Sequence, residues 1–213
     1  YPLPDRFGGG IRIDSRTGET MRKIERLGRL GLLALLLGAG LPAAAQPVYD
    51  GWLCCSLRSD ANGWISDINY TGNGMRLVPA GTPVKIAGYG RQRIELRAAD
   101  KTYWMGNDYS RDLSPAQFAE RYIVRQDPNA RMAGWPKATR EAIATGRVRL
   151  GMTRDQVVMA VGYPVSSENP QLDVPMRRYW LTSFEEYGVY FDAAGKVSKV
   201  SGDDGVRVRV LMP

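Results

Sequence analysis

Gly151-Met152-Thr153-Arg154-Asp155-Gln156-Val157-Val158-Met159-Ala160-Val161-Gly162-Tyr163-Pro164 spells a helix together with its start and stop signals. Thr153 followed three residues later by Gln156 is a capping box, and Met152, just before the cap, is placed to staple onto Val157. Val157, Ala160 and Val161 recur at i, i+3 and i+4, which draws one apolar stripe. Gly162 suits the left-handed residue that closes a helix, and Pro164 forbids its continuation. The helix has barely three turns, and isolated helices shorter than about 12 to 15 residues are marginal in water. It therefore has to be held by packing against a sheet.

The sheet is expected immediately downstream. Arg178 to Thr182, Tyr187 to Phe191 and Lys196 to Ser201 read as strands, joined by Ser183-Phe184-Glu185-Glu186 and by the hairpin loop Asp192-Ala193-Ala194-Gly195. Tyr187, Val189 and Phe191 alternate with Gly188 and Tyr190, the period of a half-buried strand. Upstream, Lys137 to Thr145 is helical in composition, with Gly146 suited to the position after the helix. Helix, helix, strand, strand, strand implies a two-layer α+β sandwich with the helices on one sheet face.

Ile143 to Gly146, the run from Gly151 to Pro164, Tyr179-Trp180 and the stretch Tyr190 to Val200 together resemble the BamE (SmpA/OmlA) domain. The resemblance covers about residues 138 to 202. It implies a helix-helix-three-strand fold that takes part in assembling β-barrel proteins at the inner face of the bacterial outer membrane. Gly151, Met152, Thr153, Val157, Gly162, Pro164 and Gly195 are then fold-setting positions. The family's binding surface would fall on Val165 to Trp180, with Asn169, Leu172, Val174, Met176, Arg177, Arg178 and Trp180 as candidate partner-binding residues. An apolar loop flanked by basic residues could receive a partner's apolar side chains or an anionic lipid headgroup. The alternative is that Leu172 and Val174 simply tuck onto the sheet.

The first half reads differently. Gln46 to Asp112 is rich in turns and short alternating runs: Trp64-Ile65, Ile68 to Tyr70, Met75 to Val78, Pro83 to Ala87, Arg93 to Arg97 and Thr102 to Met105, with Gly88 to Arg91 as a hairpin turn. Spacing near ten residues suggests a small SH3-like barrel or meander. Ser114 and Pro115 then open a helix. The expected organisation is a β-rich SH3-like module over 46–112, a helical linker over 113–136, a BamE-like domain over 137–202 and a tail over 203–213.

Ahead of these lie Arg22, Lys23, Arg26 and Arg29, an apolar stretch of about twelve residues from Leu30 to Leu41, and Ala43-Ala44-Ala45. A bilayer span needs roughly 20 apolar residues, so 21–45 reads as a cleaved secretory signal peptide. Residues 1–20 read as upstream extension, with Met21 as the expected start. Neither Cys54 nor Cys55 fits a lipidation site, and the expected localisation is the periplasm, peripheral to the inner face of the outer membrane.

Formal charge is +7, from 29 basic and 22 acidic residues. Removing the seven basic and four acidic residues of 1–45 leaves +4, too mild for a polybasic nucleic-acid surface. Histidine is absent, which removes Ser-His-Asp and Cys-His catalysis and imidazole metal ligation. Cys54 and Cys55 are adjacent, and trans neighbours hold their Cα atoms about 3.8 Å apart. Ordinary disulfides want roughly 4.4 to 6.8 Å, so two small thiols, one or both buried, are expected there, with an intermolecular disulfide or a redox role as the alternative.

The acidic pairs Glu185-Glu186 and Asp203-Asp204 read as solvated turn residues. Ser66, Asp67 and Asn69 offer polar groups that could line a groove, though hydrogen-bonded turn positions are the commoner use. No catalytic group, metal or cofactor is expected. The expected function is non-enzymatic protein-protein contact with an envelope or outer-membrane assembly protein. The alternative is peptidoglycan or peptide binding by Tyr89, Tyr103 and Trp104 of the β-rich half.

Overall fold

A computed structural model describes residues 46–213, so the expectations placed on 1–45 lie outside the described residues. The chain is mixed α+β: a large curled sheet, a second small sheet and five short helices. The large sheet contains β1 (Asp50–Leu53), β2 (Leu57–Ser59), β3 (Trp64–Ser66), β4 (Arg76–Val78), β5 (Pro83–Gly90), β6 (Arg93–Ala98), β7 (Lys101–Gly106) and β8 (Ile123–Val124). Their order is β4-β2-β3-β7-β6-β5-β1-β8. All neighbours are antiparallel except β3 and β7. The small sheet is antiparallel, β11-β10-β9, from β9 (Met176–Trp180), β10 (Glu186–Phe191) and β11 (Val197–Ser201). The helices are α1 (Pro115–Tyr122), α2 (Pro128–Ala133), α3 (Lys137–Ala144), α4 (Arg154–Val161) and α5 (Asp204–Val210).

The local signals around α4 are realised as bonds. Thr153 Oγ1 accepts the Gln156 N–H at 3.3 Å, while Gln156 Oε1 accepts the Thr153 N–H at 2.9 Å. Gly162 sits at φ +85°, a conformation costly for any residue with a Cβ. Met152 and Val157 are buried, and Gly195 turns the β10–β11 hairpin at φ +71°. Ser114 and Gln117 make the same reciprocal cap on α1.

Several expectations are corrected. Ile68 to Tyr70 is a turn, not a strand, because Asn69 takes φ +60°. The β5–β6 reversal is made by Arg91-Gln92, since β5 continues through Tyr89 and Gly90 beyond a bulge at Ile86/Gly88. Inside the expected helical linker, Ile123 and Val124 form a short strand that pairs with β1. Within the same linker Asp127-Pro128 starts a separate helix, α2: Asp127 accepts the Asn129 N–H. The tail folds as α5, with Val206 and Val210 buried. Cys54 and Cys55 are bonded to each other, not free. The chain bends there between β1 and β2, so the two side chains do not point to opposite faces as they would within a strand.

Two hydrophobic cores result. One joins the curled sheet to α1 through Leu57, Ile86, Ile94, Leu96, Met105 and Phe118; the other lies between α3, α4, α5 and the small sheet. Residues 46–213 nevertheless fall in one compact unit, because buried polar groups tie the two cores together. A helix leaves its last four carbonyls without intrahelical partners. In α4 the Met159 carbonyl accepts the Ser56 N–H at 2.8 Å, and the Val161 carbonyl accepts Asn69 Nδ2 at 2.9 Å. Ser56 Oγ donates to the Ile143 carbonyl of α3 at 2.7 Å, and Arg58 Nη2 reaches the Gly146 carbonyl at 3.0 Å. The segment 56–69 thus completes the end of α4 and ties itself to the loop that closes α3.

Asn69 is the most committed residue of that segment. Its amide also donates to the Ser56 carbonyl at 3.1 Å and accepts the Arg58 N–H at 2.7 Å. Asn69→Ala leaves these groups unsatisfied and puts a non-glycine, non-asparagine residue at positive φ. A loss of about 3 kcal/mol is expected from urea denaturation.

Candidate functional site

The candidate residues of the 165–180 segment separate according to strand alternation. In β9, Arg177 and Tyr179 face the helices and are buried, while Met176, Arg178 and Trp180 face outward. Arg178 pairs with Glu186 at 3.1 Å, and Trp180 Nε1 donates to the Glu168 carboxylate at 2.9 Å. Asn169 is spent on the backbone: it donates to the Arg178 carbonyl at 3.0 Å and accepts the Arg178 N–H at 2.9 Å. It thereby occupies the open edge of β9 where another strand would otherwise add. Val174 is half-buried, and its carbonyl receives Arg154 Nη2.

Leu172 and Arg177 alone among these residues line a cleft of about 470 Å³. Its other walls come from distant parts of the chain: Cys54 after β1, Val124 of β8, Arg131 of α2, Asp155, Val158 and Met159 of α4, and Tyr163. Leu172 is half-buried, so it borders the cleft instead of standing free in solvent. Arg177 is 4% exposed. Its Nε donates to the Leu172 carbonyl at 2.9 Å and its Nη1 to the Arg154 carbonyl at 3.3 Å, and the guanidinium lies 5.2 Å from the Phe191 ring. Burial pushes the Tyr163 hydroxyl above its ordinary range despite the nearby Arg121, Arg177 and Arg131. Burial likewise pushes Tyr179 up to about 12, against the lowering effect of Arg177. Both therefore remain protonated at neutral pH.

The polar run in the first half is structural. Asp67 is 1% exposed, and its Oδ2 accepts the N–H groups of Tyr109 and Ser110 at 3.0 and 2.8 Å. Tyr89, Tyr103 and Trp104 do not form a platform. Tyr89 lies opposite Ile94 and Tyr103 opposite Leu96, on the inner face, whereas Trp104 lies opposite Glu95 on the other. The acidic pairs meet arginines: Glu185 with Arg209, Glu186 with Arg178 and Asp204 with Arg207. Among the described residues no group of three or more Asp, Glu or Cys is arranged to hold a metal ion, and no helix is long and apolar enough to cross a membrane.

Most of the cleft is invisible to sequence reasoning, because Cys54, Val124, Arg131 and Asp155 meet only through folding. The one local signal is Arg177 itself, a basic residue placed at an inward position of a strand.

Burial is the main cause that raises the Asp67 carboxyl above the usual range, against the two N–H donors that lower it. A carboxyl whose folded value exceeds its unfolded value binds its proton more tightly in the fold. That contribution is complete below the unfolded value near 3.9 and is lost as pH rises through the raised one. Asp67→Asn keeps the acceptor without the charge. Urea denaturation at pH 4, 5.5 and 7 should show the variant gaining on the wild type as pH rises; a pH-independent difference contradicts the assignment.

No family model, curated protein or solved structure gives a significant match to the chain.

Proposed function

We propose that this chain is a non-enzymatic, exported envelope protein that binds a partner polypeptide, with outer-membrane protein assembly or envelope integrity as its setting. The observation that carries this reading is the cleft bordered by Leu172 and Arg177, on the segment where the BamE resemblance puts the partner surface. The succession α3, α4, β9, β10, β11 and the antiparallel order of its sheet support reading residues 137–202 as BamE-like. The curled sheet preceding it is read as an elaborated SH3-like module. Arginine pairing of the acidic clusters leaves them to structure, which favours binding over chemistry.

In this reading a partner's apolar side chain enters beside Leu172 and Met159, and charged rim residues select its neighbours. Large apolar groups in desolvated pockets dominate such interfaces. The purified protein, used to capture partners from a membrane extract, should retain an outer-membrane assembly component identifiable by mass spectrometry. Leu172→Asp should lower that recovery at least about tenfold with the melting temperature unchanged. Absence of any envelope protein among those retained, or equal recovery by the variant, refutes the reading.

A further inference from the structure

We infer that the cleft is a carboxylate site: Arg177 receives one carboxylate group while the walls beside it receive the apolar side chain attached to that group. This rests on reading the cleft as the binding site and names the chemistry that it takes.

The first observation is a buried cation without a counter-charge. Arg177 pairs with no carboxylate among the described residues. Its Nε and Nη1 donate to main-chain carbonyls, and the one side chain among the described residues that approaches the guanidinium to hydrogen-bond it is the neutral Tyr179 hydroxyl, which brings no counter-charge. Burying a charge without a partner is costly. The cost falls when an anion arrives, and a guanidinium presents its donors as a planar fork that fits both oxygens of a carboxylate. The Leu172 and Arg154 carbonyls hold two sides of the guanidinium, so its orientation is set before any ligand enters.

The second observation is the wall. Val124, Val158, Met159, Leu172 and the Tyr163 ring enclose the remaining space. At about 470 Å³ the cleft falls within the range of small-ligand sites, roughly 300 to 1,000 Å³. One apolar side chain and a short length of backbone fill it.

The third is the charge around the mouth. Asp127, Arg131 and Asp155 are exposed there, and together with Arg177 they sum to zero. A dianion such as phosphate would face Asp127 and Asp155, whereas a single carboxylate is balanced by Arg177. Such a group has two sources, a free amino acid and the C-terminus of a polypeptide. They differ in the ammonium group, which only the free amino acid carries next to its carboxylate.

Titration calorimetry on the purified protein separates these cases with four probes: leucine, N-acetyl-leucine, N-acetyl-leucinamide and inorganic phosphate. One of the two acids should bind, and the amide at least about tenfold more weakly. Stronger binding of N-acetyl-leucine identifies a polypeptide C-terminus; stronger binding of leucine identifies a free amino acid. Arg177→Lys keeps the charge but loses the fork, and should weaken the acid at least about tenfold. Val158→Phe fills the cleft without touching Arg177 and should abolish binding, so the outcome does not hang on one variant's folding. Equal binding of acid and amide, preference for phosphate, or no heat from either acid at millimolar concentration overturns the inference. These measurements need no partner. Acid binding without a captured envelope protein sinks the proposed function alone, and capture without acid binding sinks the carboxylate site alone.

Discussion

The chain is organised around the carbonyls at the end of α4, which find no donor in their own helix. Helices α3 and α4 have eight residues each, too short to stand alone, and the last turn of α4 points into protein, not water. Segment 56–69 of the curled sheet supplies the donors that α4 lacks, through the Ser56 main chain and the Asn69 amide, while the Ser56 hydroxyl and the Arg58 guanidinium add bonds to the Ile143 and Gly146 carbonyls at the end of α3. Each bond is modest in net value, but each buried carbonyl left without one would cost about 1 to 3 kcal/mol. That asymmetry makes the two cores interdependent.

Polar side chains elsewhere follow the same logic. Asn169 satisfies a strand edge, Asp67 satisfies two loop N–H groups, and Thr71 bonds the Leu181 carbonyl through both its N–H and its hydroxyl. Arg177 stands apart from these. Its carbonyl contacts orient the guanidinium without neutralising it, and among the charged residues that line the cleft it is the buried one.

Legibility from sequence divides along the range of the interactions. The caps of α1 and α4, the closing glycines and the β10–β11 hairpin were readable because donor and acceptor lie within four residues of one another. Ile68 to Tyr70 misleads by its composition: Asn69 adopts positive φ so that its amide can reach Val161, 92 residues away. Ile123 continues the apolar stripe of α1 yet enters a strand with Val124, because β1 offers an unpaired edge at Trp52 and Leu53. The candidate surface divided for a related reason. Met176 to Trp180 is contiguous in sequence, but strand alternation sends Arg177 inward and its neighbours outward.

By itself the sequence determined the α+β class, the caps of α1 and α4 and the β10–β11 hairpin, since these are settled by side chains bonding to their own nearby backbone. Tertiary structure alone decided that the two halves share polar seams, that Cys54 and Cys55 face each other, and that Leu172 and Arg177 join Val124, Asp155 and Met159 around one cleft. The reason is desolvation. A local pattern states which groups need partners, and only the packed chain settles which of those groups lose water and where the partners come from.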